Sequence, residues 1–170
     1  RGRGRTVGRK TLQVDVPAGI ADGQRIRLSG HGHVGEQGGP PGDLYVLVRV
    51  REDERFVRDG NDLVTVLDVP APRAALGDRF EVPTLDGAAE VEIEPGTQPN
   101  ETIVLRGKGM PSLRASARPG DLRVVVNVQI PRRLSGEQRD LLERLANSMT
   151  EDNLREDKGV FAKLRRAFGA

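Results

Sequence analysis

The fold is decided by two stretches that repeat one another, Gln24-Arg25-Ile26-Arg27-Leu28-Ser29-Gly30-His31-Gly32 and Glu101-Thr102-Ile103-Val104-Leu105-Arg106-Gly107-Lys108-Gly109. In each stretch, alternating apolar residues end at a leucine that stands two positions before a Gly-x-Gly loop. Such alternation indicates a β-strand with one buried face. Glycine at its end lets the chain turn sharply. The pair therefore indicates an internal duplication.

The similarity extends outward on both sides. Pro17-Ala18-Gly19 and Pro95-Gly96 precede the two stretches, while Pro41-Gly42-Asp43-Leu44 and Pro119-Gly120-Asp121-Leu122 follow them. Gly30 and Gly107 stand 77 positions apart. A valine-rich alternating run closes each copy. Residues 16–50 are hereafter the first repeat and residues 94–130 the second repeat. Each copy reads as strand, turn, strand, glycine-rich loop, strand.

Two aspartates stand at matching places in the copies. Asp43 and Asp121 each follow a glycine and precede a leucine. An aspartate in such a position caps a turn through its carboxylate. We therefore expect these residues to fix turn geometry and not to act in catalysis.

The chain between and after the repeats completes a mainly β fold. Leu63–Val69 predicts a strand, Pro72–Gly77 a short helical turn opened by proline and closed by glycine, and Phe80–Ile93 a hairpin around Leu85-Asp86-Gly87. We expect two tandem small β-sandwich or barrel-like domains, with the helical turn in the second. The predicted domains are residues 1–58 and 59–133, followed by a helix at 134–149 and an amphipathic tail at 150–170.

The predicted C-terminal helix begins with a capping box. The hydroxyl of Ser135 and the side chain of Gln138 satisfy backbone groups at its start. One apolar stripe runs along it, formed by Leu141, Leu142, Leu145 and Met149. That stripe packs either on its own domain or on a second subunit, and the sequence leaves both open. For the tail at 157–168, a partner, a membrane surface and a dimer contact remain alternatives.

Composition excludes several classes of protein. The absence of cysteine excludes disulfides and thiolate metal sites in this chain. The sequence carries neither a secretory signal nor an apolar run of bilayer-spanning length, so a soluble cytoplasmic protein is expected. A net charge of only +2, with acids and arginines alternating, indicates a solvated surface.

Three further patterns carry little weight. Gly30–Gly35 spells Gly-x-Gly-x-x-Gly, but the glycines and prolines that follow do not start the helix that a dinucleotide site requires. His31 and His33 with Glu36 make a poor zinc site without cysteine. Both histidines stand in that loop, so no nucleophilic triad can be assembled. An enzyme and a metal site are both disfavoured.

Many ordered motifs of the chain resemble the C-terminal part of DnaJ. Gly23–Leu28, Gly30-x-Gly32 and Pro41–Val46 look like its first C-terminal domain, and Phe56-x-Arg58-Asp59-Gly60-x-Asp62-Leu63 looks like the link to its second. The second domain is matched by Ala75–Gly77, Val82–Gly87, Pro95–Gln98 and Arg106–Pro111. Leu134-Ser135-x-x-Gln138-x-x-Leu141-Leu142 is similar to the dimerisation helix. The resemblance covers the chain to about Met149.

The resemblance implies a non-enzymatic co-chaperone module that binds unfolded or misfolded polypeptides, prevents aggregation and delivers clients to DnaK in the heat and stress response. It implies client binding at Leu12, on a strand that enters the domain, and at Phe56. Val14 is added to the client-binding residues because it stands two residues from Leu12 and would share a face with it on a strand. It also implies homodimerisation through Leu134, Leu141, Leu142, Leu145 and Met149. Asp53 departs from the family, which often has histidine there.

The start of the chain adds an expectation about the longer protein. Arg1-Gly2-Arg3-Gly4-Arg5 resembles the end of a zinc repeat, so we expect zinc only in a module upstream and no cofactor in this chain. No His-Pro-Asp occurs, and we expect the J-domain to be absent. The alternative function is a nucleic-acid-binding β protein that uses the basic, glycine-rich residues 1–9, although these lack aromatics for base stacking.

Overall fold

The structure is a computed structural model that describes residues 9–35, 39–113 and 117–154. These residues divide into two compact units, with the boundary between Gln129 and Ile130. The described elements are, in chain order, β1 (Arg25–Leu28), β2 (Leu44–Leu47), β3 (Val57–Asp59), β4 (Asp62–Pro70), α1 (Ala71–Leu76), β5 (Asp78–Thr84), β6 (Gly87–Ile93), β7 (Thr102–Leu105), β8 (Leu122–Gln129), α2 (Gly136–Ser148) and a short 3-10 helix (Glu151–Leu154). The prediction of a mainly β fold is confirmed.

The duplication is visible in the strand pairing. β1 and β2 pair antiparallel with Leu28 opposite Leu44, and β7 and β8 pair antiparallel with Leu105 opposite Leu122. In both copies, the amide of the second glycine of the Gly-x-Gly loop donates a hydrogen bond to the carbonyl of the glycine in the Pro-Gly-Asp-Leu motif that follows. These bonds measure 2.7 Å from Gly32 to Gly42 and 2.8 Å from Gly109 to Gly120. The two repeats therefore share one backbone design.

The matching aspartates hold matching turns. Asp43 accepts a hydrogen bond from the amide of Gly30 at 3.0 Å, and Asp121 accepts one from the amide of Gly107 at 2.7 Å. Both glycines have a positive φ near 70°, which a residue with a side chain rarely adopts. The predicted role of the aspartates in turn geometry is confirmed.

The two repeats differ in what lies beside them. In the second repeat, β8 also pairs with β4 in parallel, which gives a four-stranded sheet in the order β3-β4-β8-β7. In the first repeat, the described part of the chain provides β2 with β1 alone. The buried core lies beside the second repeat, because it is formed between the inner face of β4 and β8, α1 and the β5–β6 hairpin. Its members are Phe56, Leu63, Leu67, Val69, Ala74, Val82, Val91, Ile93, Leu122, Val124 and Val126.

The local predictions for the second domain are confirmed. α1 contains Pro72 in its first turn and ends at Gly77, whose φ is +78°. β5 and β6 form the expected hairpin, in which Thr84 stands opposite Gly87 across a two-residue loop. Buried Val82 and Thr84 alternate with Pro83 at the end of β5, and exposed Glu90 and Glu92 alternate with buried residues at the end of β6, so each strand turns one face to the core.

One prediction for the first repeat is wrong. Leu12 was expected on a strand, but residues 9–17 form none. At the 77-residue offset their counterpart is β6, which directly precedes the second repeat and pairs with β5. Among the described residues, no equivalent of β5 lies beside residues 9–17, so their backbone has no strand there to pair with.

β3 lies across the predicted domain boundary at 58/59, and the division into domains stays a prediction.

The second unit contains the expected capped helix. The Ser135 hydroxyl accepts a hydrogen bond from the amide of Gln138 at 3.2 Å, and the Gln138 side chain accepts one from the amide of Ser135 at 2.9 Å. No residue of α2 is buried. Its stripe residues Leu141, Leu142, Leu145 and Met149 are all exposed, and Leu134 is half-buried. The predicted amphipathic tail at 157–168 lies outside the described residues.

A substitution at Gly120 tests the packing of the second repeat. A Cβ there would collide with the carbonyl oxygen of Asn61, whereas a Cβ at the matching Gly42 would make only ordinary contacts with the backbone of His33. We expect Gly120→Ala to lower the free energy of unfolding by about 1–3 kcal/mol. Gly42→Ala should change it by less than about 0.5 kcal/mol. Urea unfolding of both variants measures this, and equal effects would contradict the described contact.

Candidate functional site

A cavity of about 660 Å³ opens in the first unit, where the two repeats approach each other. It takes Ala21, Asp22 and Val50 from the first repeat, Met110 from the second and Leu85 from the β5–β6 hairpin. The segment that joins the repeats supplies the rest, namely Arg51, Glu52, Asp53, Phe56, Val57, Arg58, Gly60 and Leu63. Apolar residues thus lie beside both signs of charge, a lining suited to an apolar group with a polar attachment.

Phe56 connects this cavity to the core. Its side chain is 8% exposed and belongs to the core cluster, together with Leu63. Its amide donates to the carbonyl of Asp53 at 3.3 Å, which closes the turn before β3. The guanidinium of Arg55 lies 5.1 Å from the centre of the ring. Phe56 therefore has a structural role in addition to lining the cavity.

The structure does not bring all the predicted client-binding residues to this cavity. Phe56 lines it, but the described lining includes neither Leu12 nor Val14. Both of those residues are half-buried. Their share in client binding stays a prediction.

Sequence reasoning missed most of the lining. Val57 and Leu85 are exposed residues on β3 and at a hairpin turn, where no buried periodicity marks them. Met110 follows the Gly107-Lys108-Gly109 loop, and the first repeat has His33 in the corresponding place. Val50 could have been found, because it ends the apolar run of the first repeat.

One lining residue of the cavity, Asp53, forms an ion pair with Arg55. The carboxylate of Asp53 accepts hydrogen bonds from Nε and Nη2 of Arg55 at 3.0 and 2.9 Å, and one from the Arg55 amide at 2.9 Å. These hydrogen bonds lower the pKa of Asp53 from 3.8 to about 2. The side-chain bonds have the largest effect and the backbone bond the next largest. The same pair raises the pKa of Arg55. Both groups stay charged at neutral pH.

The described residues do not assemble a metal site. They hold no group of three or more histidine, aspartate or glutamate side chains placed to bind an ion. The Nδ1 atom of His31 lies 2.9 Å from the carbonyl oxygen of Ser29.

No described helix is long and apolar enough to cross a membrane.

Removing the arginine side chain should raise the pKa of the Asp53 carboxyl. We expect Arg55→Gln to move it from about 2 toward 3.8, and not fully, because the backbone amide remains a donor. In the parent chain, the pair contributes to stability above the unfolded pKa and loses that contribution as pH falls through about 2. Carboxyl NMR titration measures the pKa. Arg51→Gln is the control, and a shift of equal size there would contradict the assignment to Arg55.

Comparison with known proteins assigns the chain to a family. The family model of the DnaJ C terminal domain matches residues 3–131, and that of the Chaperone protein DnaJ C-terminal region matches residues 137–170. Among curated relatives, the Chaperone protein DnaJ of Brucella anthropi is 44% identical over 168 residues, which are 98% of this chain and 44% of the relative. The Natronomonas pharaonis protein of the same name is 49% identical over 158 residues, 93% of this chain and 41% of the relative.

A third relative shows the same pattern. The Chaperone protein DnaJ of Leptothrix cholodnii is 52% identical over 139 residues, which are 82% of this chain and 36% of that protein. The chain thus spans less than half the length of these curated relatives. The resemblance read from the motifs is confirmed, and the chain belongs to the DnaJ C-terminal domain family.

Proposed function

We propose that this chain is the client-binding, dimerising part of a DnaJ-type co-chaperone. It binds unfolded or misfolded polypeptides, prevents their aggregation and delivers them to a DnaK-type chaperone in the cytoplasm, as part of the response to heat and stress. The observation that carries the proposal is the cavity between the repeats, with apolar and charged lining, in a chain of this family. Binding is the whole activity, and no chemical reaction is needed.

The lining suits a segment of unfolded chain. Such a segment offers apolar side chains on a polar backbone, and the cavity offers Phe56, Val57 and Met110 beside charged residues. Burial of apolar area contributes about 25 cal/mol per Å². One inserted side chain of roughly 100 Å² would thus contribute only about 2.5 kcal/mol. Weak binding at each site fits a protein that must release its client.

Leu12 and Val14 extend the proposed client surface beyond the cavity. The family resemblance supports Leu12, and Val14 is included because it stands two residues away. Both side chains are half-buried, so part of each remains open to a client.

Two serine substitutions test the cavity. Val57 lines it and is 68% exposed, while Val66 is 61% exposed on β4 and does not line it. We expect Val57→Ser to weaken the suppression of client aggregation, since it removes apolar area from the site, and Val66→Ser to leave it unchanged. Light scattering of a chemically denatured client measures suppression, with circular dichroism as the control for folding.

The same assay tests Leu12→Ser, which should also weaken suppression. If every one of these variants suppresses aggregation like the parent while remaining folded, the assignment of the client site is wrong. Salt dependence separates the alternative function. Binding of denatured protein that tolerates salt supports the co-chaperone, whereas binding of a nucleic acid that falls steeply with salt would favour the nucleic-acid-binding protein, since phosphate contacts release counterions.

The exposed stripe of α2 supports dimerisation. Leu141, Leu142, Leu145 and Met149 lie on one side of a capped helix and are all exposed in the single chain. Half-buried Leu134 precedes the helix. Pairing two chains through these residues would remove apolar area from water. A dimer would also present two client sites, so the second site binds at a high effective concentration.

A charge placed in the stripe should separate the chains. Leu145 is 54% exposed, and Leu145→Asp would bury a carboxylate in the proposed interface. We expect a dimer for the parent and a monomer for this variant when mass is measured by light scattering after gel filtration. Asn147→Asp adds the same carboxylate on the other side of the helix and should stay dimeric. A parent chain that is monomeric at all concentrations would contradict the proposal.

A further inference from the structure

The side chain of Arg58 makes an unusual set of contacts. Its guanidinium donates three hydrogen bonds, all to backbone carbonyls: to Gly19 at 2.7 Å, to Ile20 at 2.8 Å and to Gly60 at 2.8 Å. Within the described part of the chain, it pairs with no carboxylate. A planar fork of donors can satisfy several fixed acceptors at once, which a lysine ammonium on its flexible stem does less well.

These carbonyls belong to different parts of the fold. Gly19 and Ile20 form the turn of the first repeat, while Gly60 lies in the tight turn between β3 and β4. Asn61 follows Gly60 in that turn, and its carbonyl accepts a hydrogen bond from the amide of Met110 at 2.8 Å. Arg58 therefore fastens the first repeat to a turn that is itself fastened to the second repeat.

A direct contact between the repeats closes this ring. A Cβ at Gly19 would collide with the carbonyl oxygen of Pro111, so the first-repeat turn lies against the backbone that follows Met110. The matching Gly96 has no such neighbour, and its amide donates instead to the carbonyls of Ala74 and Ala75 at the end of α1. The turn at Gly96 in the second repeat thus packs on α1, whereas the matching turn at Gly19 in the first repeat packs on the second repeat.

The ring of contacts surrounds the cavity. Ala21 and Asp22, which follow the clamped turn, line it, and so do Arg58, Gly60 and Met110. A change in the angle between the repeats would move Ala21 and Asp22 relative to Met110. The shape of the cavity consequently depends on the contacts of Arg58.

We propose that Arg58 is a positioning residue that locks the first repeat against the second and so holds the cavity between them in one shape. The lock itself is independent of any ligand. Its consequence for client binding rests on the proposed function, and the two are separated by different measurements.

Because the chain contains no cysteine, spin labels can be attached at two introduced cysteines to measure the distance between the repeats. Spin labels at Tyr45→Cys on β2 and Val104→Cys on β7, both exposed positions, report the separation of the repeats. We expect a single narrow distance distribution in the parent chain. Arg58→Met, which has similar length and no donors, should broaden it, and Arg58→Lys should broaden it too although the charge remains.

Arg51→Met is the matched control. Arg51 lines the same cavity and donates no hydrogen bond to any described residue, so its loss removes the same charge without the lock. The distribution should stay narrow. Distributions that stay narrow in both Arg58 variants, or that broaden equally in Arg51→Met, would overturn the proposal. Should Arg58→Met fail to fold, Arg58→Lys and the hydrogen exchange of the Met110 amide decide the same question.

Client binding is measured on the same variants. We expect both Arg58 variants to bind an unfolded client about tenfold more weakly, as they would if about a tenth of the molecules held the binding shape of the cavity. A broadened distribution with unchanged client affinity supports the lock and counts against the cavity as the client site. A narrow distribution with weakened affinity overturns the lock and leaves the proposed function standing.

Discussion

The carbonyl oxygen of Asn61 is the point on which the first unit depends. It accepts a hydrogen bond from the amide of Met110, and two glycines of the second repeat, Gly109 and Gly120, lie too close to it to carry a side chain. Directly after it, the carboxylate of Asp62 accepts from the amide of Asp121 at 2.9 Å. These bonds set β4 beside β8 in parallel register, with Leu63 next to Leu122. The core and the cavity wall both follow from that register.

A duplicated backbone has acquired two different uses. The strand register, the aspartate-held loops and the positive-φ glycines match between the repeats. Even Asn100, whose φ is +68°, stands where the first repeat has Gly23 at +75°. The surroundings differ, because only the second repeat is flanked by β4, α1 and a hairpin in the described residues. The second repeat therefore holds the core, while the first contributes to a cavity against it.

The sequence predicted the parts of this structure that depend on local chemistry. Glycines, prolines and turn aspartates identified the repeat, and Pro72 with Gly77 identified α1. Ser135 and Gln138 identified the capping box of α2. The cavity depends on contacts between distant segments, such as Arg58 with Gly19, and a lone arginine in a short linker carries no signal of them. The family resemblance supplied Phe56, which does line the cavity. It also placed Leu12 on a strand, whereas residues 9–17 form none and the described residues offer them no pairing partner.

The central claim is that non-native polypeptide binds in the cavity between the repeats. The most direct test is methyl NMR of this chain with an unfolded client peptide that carries a spin label. The account predicts selective broadening at Val50, Val57, Leu85 and Met110, which line the cavity. Broadening that is strongest at Val66 and Val104, which lie elsewhere on the four-stranded sheet, or that is uniform over the surface, would contradict it.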